Sequence, residues 1–416
     1  MHKFSTDLGG TTLEHISGGV CAAKGFKASG VHCGIRKNRV KRDLSMILSD
    51  VPASAAAIYT QNLVKGAPIQ VTKRNLQNGI AQAMICNSGN ANTCNADGEQ
   101  IAWAMCELAA EATGVKAEDV IVASTGVIGQ PLPIEPIAAG MAPLAAALNE
   151  NGSQEAAEGI MTTDTRLKEV AVSFTAGGVT CHLGGIAKGS GMIHPNMATM
   201  LVFLTCDAAI SPALLQKALS ADAQDSFNMI SIDGDTSTND MVSIMANGLA
   251  GNTPITEENE DYAAFCEALK EVTTTLCRAI AKDGEGATRL LTCIVEGGKT
   301  VRDAKLAAKS VVCSSLLKAA IFGSDANWGR VLCALGYSGA QIDVQAVDVA
   351  FRSSKGEITV CRHGASVDFS EEKATEILLE DEIEVLVPLH DGDAAATAWG
   401  CDLTYDYVKI NGDYRT

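Results

Sequence analysis

Short β-branched runs alternate with alanine-rich stretches of helical period along most of this chain, and that alternation limits its folding more than any single motif. Ala81 to Cys86 and Val120 to Ala123 read as strands, and Gly98 to Thr113 reads as a helix. A Pro-rich turn, Gln130 to Pro136, leads into a helix expected over Ile137 to Asn149. Val170 to Ala176, Gly178 to Leu183 and Met200 to Cys206 read as successive strands of one sheet. Ser211 to Ser226 and Asn259 to Lys282 have helical propensity and period, as does Ala304 to Lys318. Leu290 to Glu296, Glu357 to Arg362 and Glu382 to Pro388 are strand-like. No repeat and no Pro/Ser/Gly-rich linker divides the chain, so the expectation is an α/β fold of layered sheets and helices and not beads on a string.

Composition narrows the partners. The chain has 32 Lys+Arg against 49 Asp+Glu, a formal charge of −17 that repels phosphate backbones and anionic lipid surfaces. Aromatic residues are only 4%, which leaves few platforms for stacking bases, so no nucleic-acid partner is expected. The 14 cysteines include no CxxC pair and the seven histidines no metal-ligand spacing, so no metal site is expected. Met1 to Val20 lacks the apolar stretch of a secretory signal, and no apolar run reaches the ~18 residues of a membrane span. Scattered thiols without a signal fit a reducing, cytoplasmic setting with no membrane partner. No Walker-type or GxGxxG loop occurs, so no nucleotide cofactor is expected.

The most unusual stretch is KGSGMIHPNMATMLVFLTCD, Lys188 to Asp207, where a glycine-rich loop runs into a strand that Thr199 would open. Such a threonine is either a β-branched strand opener or a latent N-terminal nucleophile. If the Ala198–Thr199 bond is cut, Thr199 gains an α-amine beside its own hydroxyl. An α-amine of ordinary pKa, about 7.7–8.0, is partly neutral at physiological pH and takes the hydroxyl proton, so one residue supplies nucleophile and base. A second glycine-centred element, ASTGVIG from Ala123 to Gly129, reads either as a plain strand-to-helix turn or as an oxyanion site with Thr125 and Gly126 as donors. The polar run SFNMISIDGDTSTNDM, Ser226 to Met241, superficially resembles a calcium loop but lacks its turn glycine and its final glutamate. It reads as a structured polar loop near the site or as a self-capping turn. His194, four residues before Ala198, is the one histidine placed to join the chemistry.

Several long motifs, KGSGMIHPNMATML, DGDTSTND, SDANWGR (Ser324 to Arg330), CNSGNAN (Cys86 to Asn92) and YVKINGDYRT at the end, together resemble the ornithine acetyltransferase family, also called glutamate N-acetyltransferase. The likeness runs from near Gly18 to Thr416. It implies a self-cleaving arginine-biosynthesis enzyme with a sandwich fold of the self-processing, N-terminal-nucleophile-like type. The precursor would be cut into an α chain, 1–198, and a β chain, 199–416, assembled as an α2β2 heterotetramer. It also implies a ping-pong reaction in which Thr199 takes acetyl from N2-acetyl-L-ornithine and passes it to L-glutamate, with acetyl-CoA as a donor only in bifunctional members. By the same resemblance Thr125 and Gly126 form the oxyanion hole, and Thr162, Lys188, Thr199, Glu285, Asn411 and Thr416 bind substrate, with Thr163 adjacent to Thr162 in MTTDT. Lys188 suits the α-carboxylate shared by both amino acids, and Glu285 suits a cationic amine. The family motif carries Ala as often as His at position 194. A hydrolase on the same scaffold and a non-enzymatic amino-acid-binding protein are the two alternatives.

Overall fold

The computed structural model describes residues 13–36, 40–194 and 200–413, and its strands fall into two sheets. The first contains β1 (Glu14–Ile16), β2 (Phe26–Val31), β3 (Leu44–Tyr59), β4 (Ile80–Asn87), β5 (Val120–Ser124), β6 (Lys168–Ala176), β7 (Val179–Lys188), β8 (Leu201–Cys206) and β10 (Met241–Ala246). Its order is β1-β6-β7-β8-β10-β3-β4-β5, with β2 paired to β3. The second contains β9 (Ile230–Ser231), β11 (Leu290–Gly298), β12 (Val349–Ser353), β13 (Gly356–Arg362), β14 (Ala365–Ser366), β15 (Glu382–Pro388) and β16 (Ala394–Cys401), in the order β14-β13-β12-β15-β11-β16-β9.

Strand β8 shows why these residues form a central strand. Leu201 and Phe203 enter one core with Ile47 and Met84, while Val202 and Leu204 enter another with Val172 and Leu276. A strand buried on both faces reads as an unbroken apolar run, and LVFLTC is one. The helix Glu260–Lys282 lies between the sheets, packed on β6 and β7 of one and on β11 and β16 of the other. Asn259 caps it by accepting from the Tyr262 N–H, and the Phe265 ring meets Phe174 of β6 edge-on, with centroids 6.2 Å apart. Each such fully buried side chain contributes roughly 1.5–3 kcal/mol. The helices Ala67–Asn75, Gly98–Thr113 and Ile134–Ala146 cover the β4–β5 end of the first sheet with a separate core. The layered sheets and helices expected from the alternation, and the α/β sandwich implied by the resemblance, are therefore the observed architecture.

Two of the boundaries that differ from expectation have a local cause. The stretch Ala304–Lys318 is two helices, Val301–Cys313 and Ser315–Phe322, because Ser314 turns extended and its hydroxyl caps the second by accepting from the Leu317 N–H. The helix expected from Ile137 begins at Ile134, since Pro136 is accommodated within its first turn. All 14 cysteines are free thiols, and no helix among the described residues is long and apolar enough to cross a membrane.

Candidate active site

Segments remote in sequence meet at one cleft of about 140 Å³, lined by Thr125, Gly126, Thr162, Thr163, Lys188 and Glu285, with Asn411 and the polar run Ser237 to Asn239. The site residues expected among the described residues are thus brought together from five stretches of chain. Thr162 and Thr163 both line the cleft. Ala198, Thr199 and Thr416 lie outside the described residues.

Strand β5 carries the 125–129 turn to the cleft. The Thr125 N–H is already engaged, donating to the Asn87 carbonyl of β4 at 3.0 Å, so the donors this turn can offer are the Thr125 hydroxyl and the Gly126 N–H. Lys188, the last residue of β7 and 8% exposed, donates from Nζ to Thr125 Oγ1 at 3.4 Å, leaving the hydroxyl proton free to point away from the ammonium. Gly126 has φ +130°, and a Cβ there would stand 2.6 Å from the Gly89 carbonyl carbon. Only glycine fits that close approach. The CNSGNAN stretch supports the turn from below: Asn87 Nδ2 donates to Ser124 Oγ at 2.7 Å, and Asn90 Nδ2 donates to the Gln130 carbonyl at 3.0 Å.

Asn239 closes the opposite wall. Its amide nitrogen donates to the carbonyls of Ala91 and Ser124, and its oxygen accepts from the hydroxyls of Thr93 and Thr238, both at 2.6 Å. Every valence of this buried amide is used, which fixes the DGDTSTND run against the 125–129 turn. The run is therefore a structured loop of the cleft, as one of its two readings had it.

Glu285 follows the central helix. Its N–H donates to the Ser190 carbonyl at 2.9 Å, and its Oε2 accepts from Asn411 Nδ2 of the C-terminal helix Tyr405–Asp413 at 2.7 Å. A Cβ on Gly191 would fall 2.4 Å from Glu285 Oε2, so that glycine keeps the space beside the carboxylate open. Lys188 and Glu285 thus offer a cation and a carboxylate within one small cleft, a complement to an amino acid.

A buried ionic clamp, which sequence reading missed, holds the contributing loops. Lys168, 1% exposed at its side chain, reaches Asp164 at 2.7 Å and Asp283 at 2.6 Å. Asp164 also accepts from the N–H groups of Thr162 at 2.9 Å and Gly189 at 2.8 Å. Asp283 accepts from the N–H and hydroxyl of Thr165 and from the N–H of Arg166, and its carbonyl accepts from the Ser190 hydroxyl. Burial alone would raise the Asp164 pKa, but the Lys168 and Lys188 ammoniums and the bonds it accepts hold it well below the usual carboxylate range. No sequence spacing marks this clamp, since Lys168 and Asp283 are 115 residues apart.

His194 stands apart from the cleft lining. Its Nδ1 is 3.1 Å from Ser231 Oγ, and burial, with the Lys309 ammonium, pushes its pKa down to about 4. Its backbone carbonyl accepts from the Thr236 hydroxyl of the polar loop.

The ArgJ family model matches residues 27–416. "Arginine biosynthesis bifunctional protein ArgJ" of Symbiobacterium thermophilum is 52% identical, over 97% of this chain and 100% of the relative, and the Bacillus subtilis protein of that description is 47% identical over 96% and 97%. A crystal structure of an arginine biosynthesis bifunctional protein from Bacillus halodurans is 48% identical, with a TM-score of 0.50, covering 52% of this chain and 100% of that one. An ornithine acetyltransferase complexed with ornithine from Mycobacterium tuberculosis is 36% identical with a TM-score of 0.41, covering 45% and 100%. With a family model matched over nearly the whole chain and relatives near 50% identity at full coverage, this chain belongs to the ArgJ family.

Proposed function

We propose that this chain is a glutamate N-acetyltransferase of arginine biosynthesis, moving acetyl from N2-acetyl-L-ornithine to L-glutamate through an ester on Thr199. The observation that carries this reading is the cleft itself, where oxyanion donors, a cation and a carboxylate converge from residues 125 to 411. The Thr199 hydroxyl, its proton taken by the α-amine that cleavage after Ala198 creates, attacks the acetyl carbonyl. The Thr125 hydroxyl and Gly126 N–H receive the developing oxyanion. Lys188 pairs with the α-carboxylate of either amino acid, and Glu285, held by Asn411, meets the side-chain ammonium of ornithine. Thr162 and Thr416 complete the substrate contacts. Ornithine leaves, glutamate enters, and its amine takes the acetyl in the reverse of the first half.

Two further observations support the reading. A chain of residues 199–416 is 218 of 416 residues, or 52%, the share of this chain that the solved Bacillus halodurans chain covers with its whole length. The relatives' description as bifunctional supports acetyl-CoA as a second acetyl donor. The proposal includes a cytoplasmic α2β2 assembly of the cut chains, for which light scattering should give twice 43.2 kDa.

The test is a mass-resolved product assay with acetylornithine and glutamate. Acetylglutamate and ornithine in equal amounts support transfer, whereas free acetate with no acetylglutamate makes the chain a hydrolase. Thr125→Ala is expected to fold and cut normally yet lose about 2.7–4 kcal/mol of transition-state stabilisation, a hundred- to thousand-fold fall in kcat. Gly126→Ala adds a strained φ and a backbone clash, and a shift of about 1 Å in the oxyanion donors costs on the order of 10²-fold in kcat. Steady-state kinetics on both variants check these values, and a kcat within threefold of wild type for either would move the oxyanion hole elsewhere.

A further inference from the structure

One residue of the cleft holds a backbone conformation that its type disfavours. Six non-glycine residues among those described have positive φ, and Met192, at φ +57°, is the one with a long apolar side chain. An L side chain in that region crowds the following carbonyl oxygen, so glycine or asparagine usually takes such a position. Met192 nevertheless lines the cleft, with 42% of its surface exposed. A disfavoured conformation persists only where the surrounding structure imposes it, and such residues gather at ligand-binding segments.

Asp233 imposes this one. Its Oδ2 accepts from the Met192 N–H at 2.6 Å and its Oδ1 from the Ile193 N–H at 2.9 Å, so one carboxylate holds the peptide groups on both sides of the Met192 Cα with charge-assisted bonds. The next residues are fixed as well. The Ile232 N–H donates to the Ile193 carbonyl at 2.7 Å, and the Tyr407 hydroxyl of the C-terminal helix donates to the Asp233 carboxyl. That helix is seated closely, since a Cβ on Gly286 would stand 2.7 Å from the Tyr407 nitrogen.

The place of Met192 in the cleft fixes what it can meet. Gly191, the residue before it, lies directly against the Glu285 carboxyl, so Met192 borders the carboxylate end, away from the ammonium of Lys188. An amino acid with a cationic side chain, laid between that ammonium and that carboxylate, presents methylenes in the middle. Ile128 and Met192 are the two large apolar side chains among the lining residues. Methionine is unbranched and adapts its shape to what lies against it.

We propose that Met192 is a specificity-determining residue of the cleft, packing on the side-chain methylenes of the amino-acid substrate and limiting their number, and that Asp233 is the positioning residue that holds it there. This rests on the reading of the cleft as the amino-acid site of an acetyltransferase. A side chain one methylene longer than that of ornithine must displace the Met192 thioether to bring its ammonium to Glu285.

The experiment compares kcat/KM for N2-acetylornithine and for N2-acetyllysine, one methylene longer, with glutamate as acceptor, on the full chain as wild type, Met192→Ala, Met192→Leu and Asp233→Asn. Circular dichroism establishes folding. One methylene in an apolar pocket is discriminated by about 10–200-fold, so wild type should prefer acetylornithine at least tenfold. Met192→Ala should reduce that preference to about threefold or less, through a higher KM for acetylornithine and a lower one for acetyllysine, and Met192→Leu should keep most of it. Asp233→Asn should lose the preference with the Met192 side chain intact, a change that general destabilisation would not produce. If Asp233→Asn fails to fold, Asp233→Glu, which keeps the charge but moves it, is read in its place. A folded Met192→Ala enzyme with the wild-type preference overturns the proposal, as does a wild type that uses both donors equally. Loss of the preference in Met192→Ala but not in the folded Asp233 variant overturns the role of Asp233. A wild type that releases acetate and forms no acetylglutamate instead overturns the reading on which the proposal rests.

Discussion

Thr199→Ala is expected to remain one chain of 43.2 kDa and to transfer no acetyl. Both halves of that result come from one side chain. Cleavage needs its hydroxyl to attack the preceding carbonyl, and transfer needs the same hydroxyl to carry the acetyl, so alanine removes nucleophile and covalent intermediate together. Losing the nucleophile of a concerted catalytic unit costs on the order of 10⁶ in kcat, which places the variant below detection. Thr199→Ser keeps the hydroxyl and should still be cut and still transfer. Denaturing mass spectrometry on wild type should show chains of about 21 and 23 kDa, the 43.2 kDa divided as 198 and 218 of 416 residues. On adding acetylornithine, the larger chain should gain one acetyl group. A Thr199→Ala protein that is cut normally would show that another residue is the nucleophile.

Lys168→Met should lower the unfolding free energy by about 3–5 kcal/mol, since it leaves Asp164 and Asp283 buried without their cation. The damage should not be confined to stability. Asp164 fixes Thr162 and Gly189, and Asp283 fixes Thr165 and the Ser190 loop that holds Glu285, so segments lining both sides of the cleft relax together. KM for acetylornithine should rise in whatever fraction stays folded. Chemical denaturation and steady-state kinetics measure the two effects, and loss of stability with an unchanged KM would make the clamp purely structural. The depressed Asp164 pKa sets a pH signature as well. A carboxyl whose folded pKa lies below its unfolded value near 3.9 contributes stability that is complete above about pH 5 and is lost as pH falls toward the depressed value. The share of the stability that Asp164 supplies should therefore hold from neutral pH to about pH 5 and fall away progressively below it, a loss that Lys168→Met should not show.

The strands were legible where local pattern and burial agree. Strand β8 is apolar on both faces and could be read directly, and the helix Gly98–Thr113 matches its expected bounds. Strand β3, sixteen residues from Leu44 to Tyr59, was not expected, because Asp50 to Ser54 includes Pro52 and looks like a break. The sheet absorbs it as a register shift between Leu48 and Ala53 against β4, a bulge that only neighbouring strands define. The site divides in the same way. Thr125 and Gly126 announce themselves as a glycine turn after a strand, and Lys188 and Glu285 came through the family likeness. The clamp of Asp164, Lys168 and Asp283 was invisible because an ion pair between distant residues leaves no local trace. Asn239 lay within a run already marked as polar, but its role depends on carbonyls at Ala91 and Ser124 that only the fold brings near.

The order of strands in the first sheet gives the proposed cut an unusual topology. Strands β8 and β10 would belong to the second fragment, yet they lie between β7 and β3 of the first, so neighbours on both sides come from the other piece. Lys188 stays paired with Leu201 across the break, and the central helix of the second fragment stays packed on β6 and β7 of the first. The fragments would thus be dovetailed in the first sheet, where the second fragment supplies two strands to the middle of a sheet otherwise built by the first. Dilution would not part them, since their separation would pull β8 and β10 out of the middle of the first sheet and leave the first fragment's strands in two unconnected parts. Severing the backbone would cost the protein a tether and nothing of its interior, so a chain of this kind can be broken once, at its own active site, and lose no cohesion.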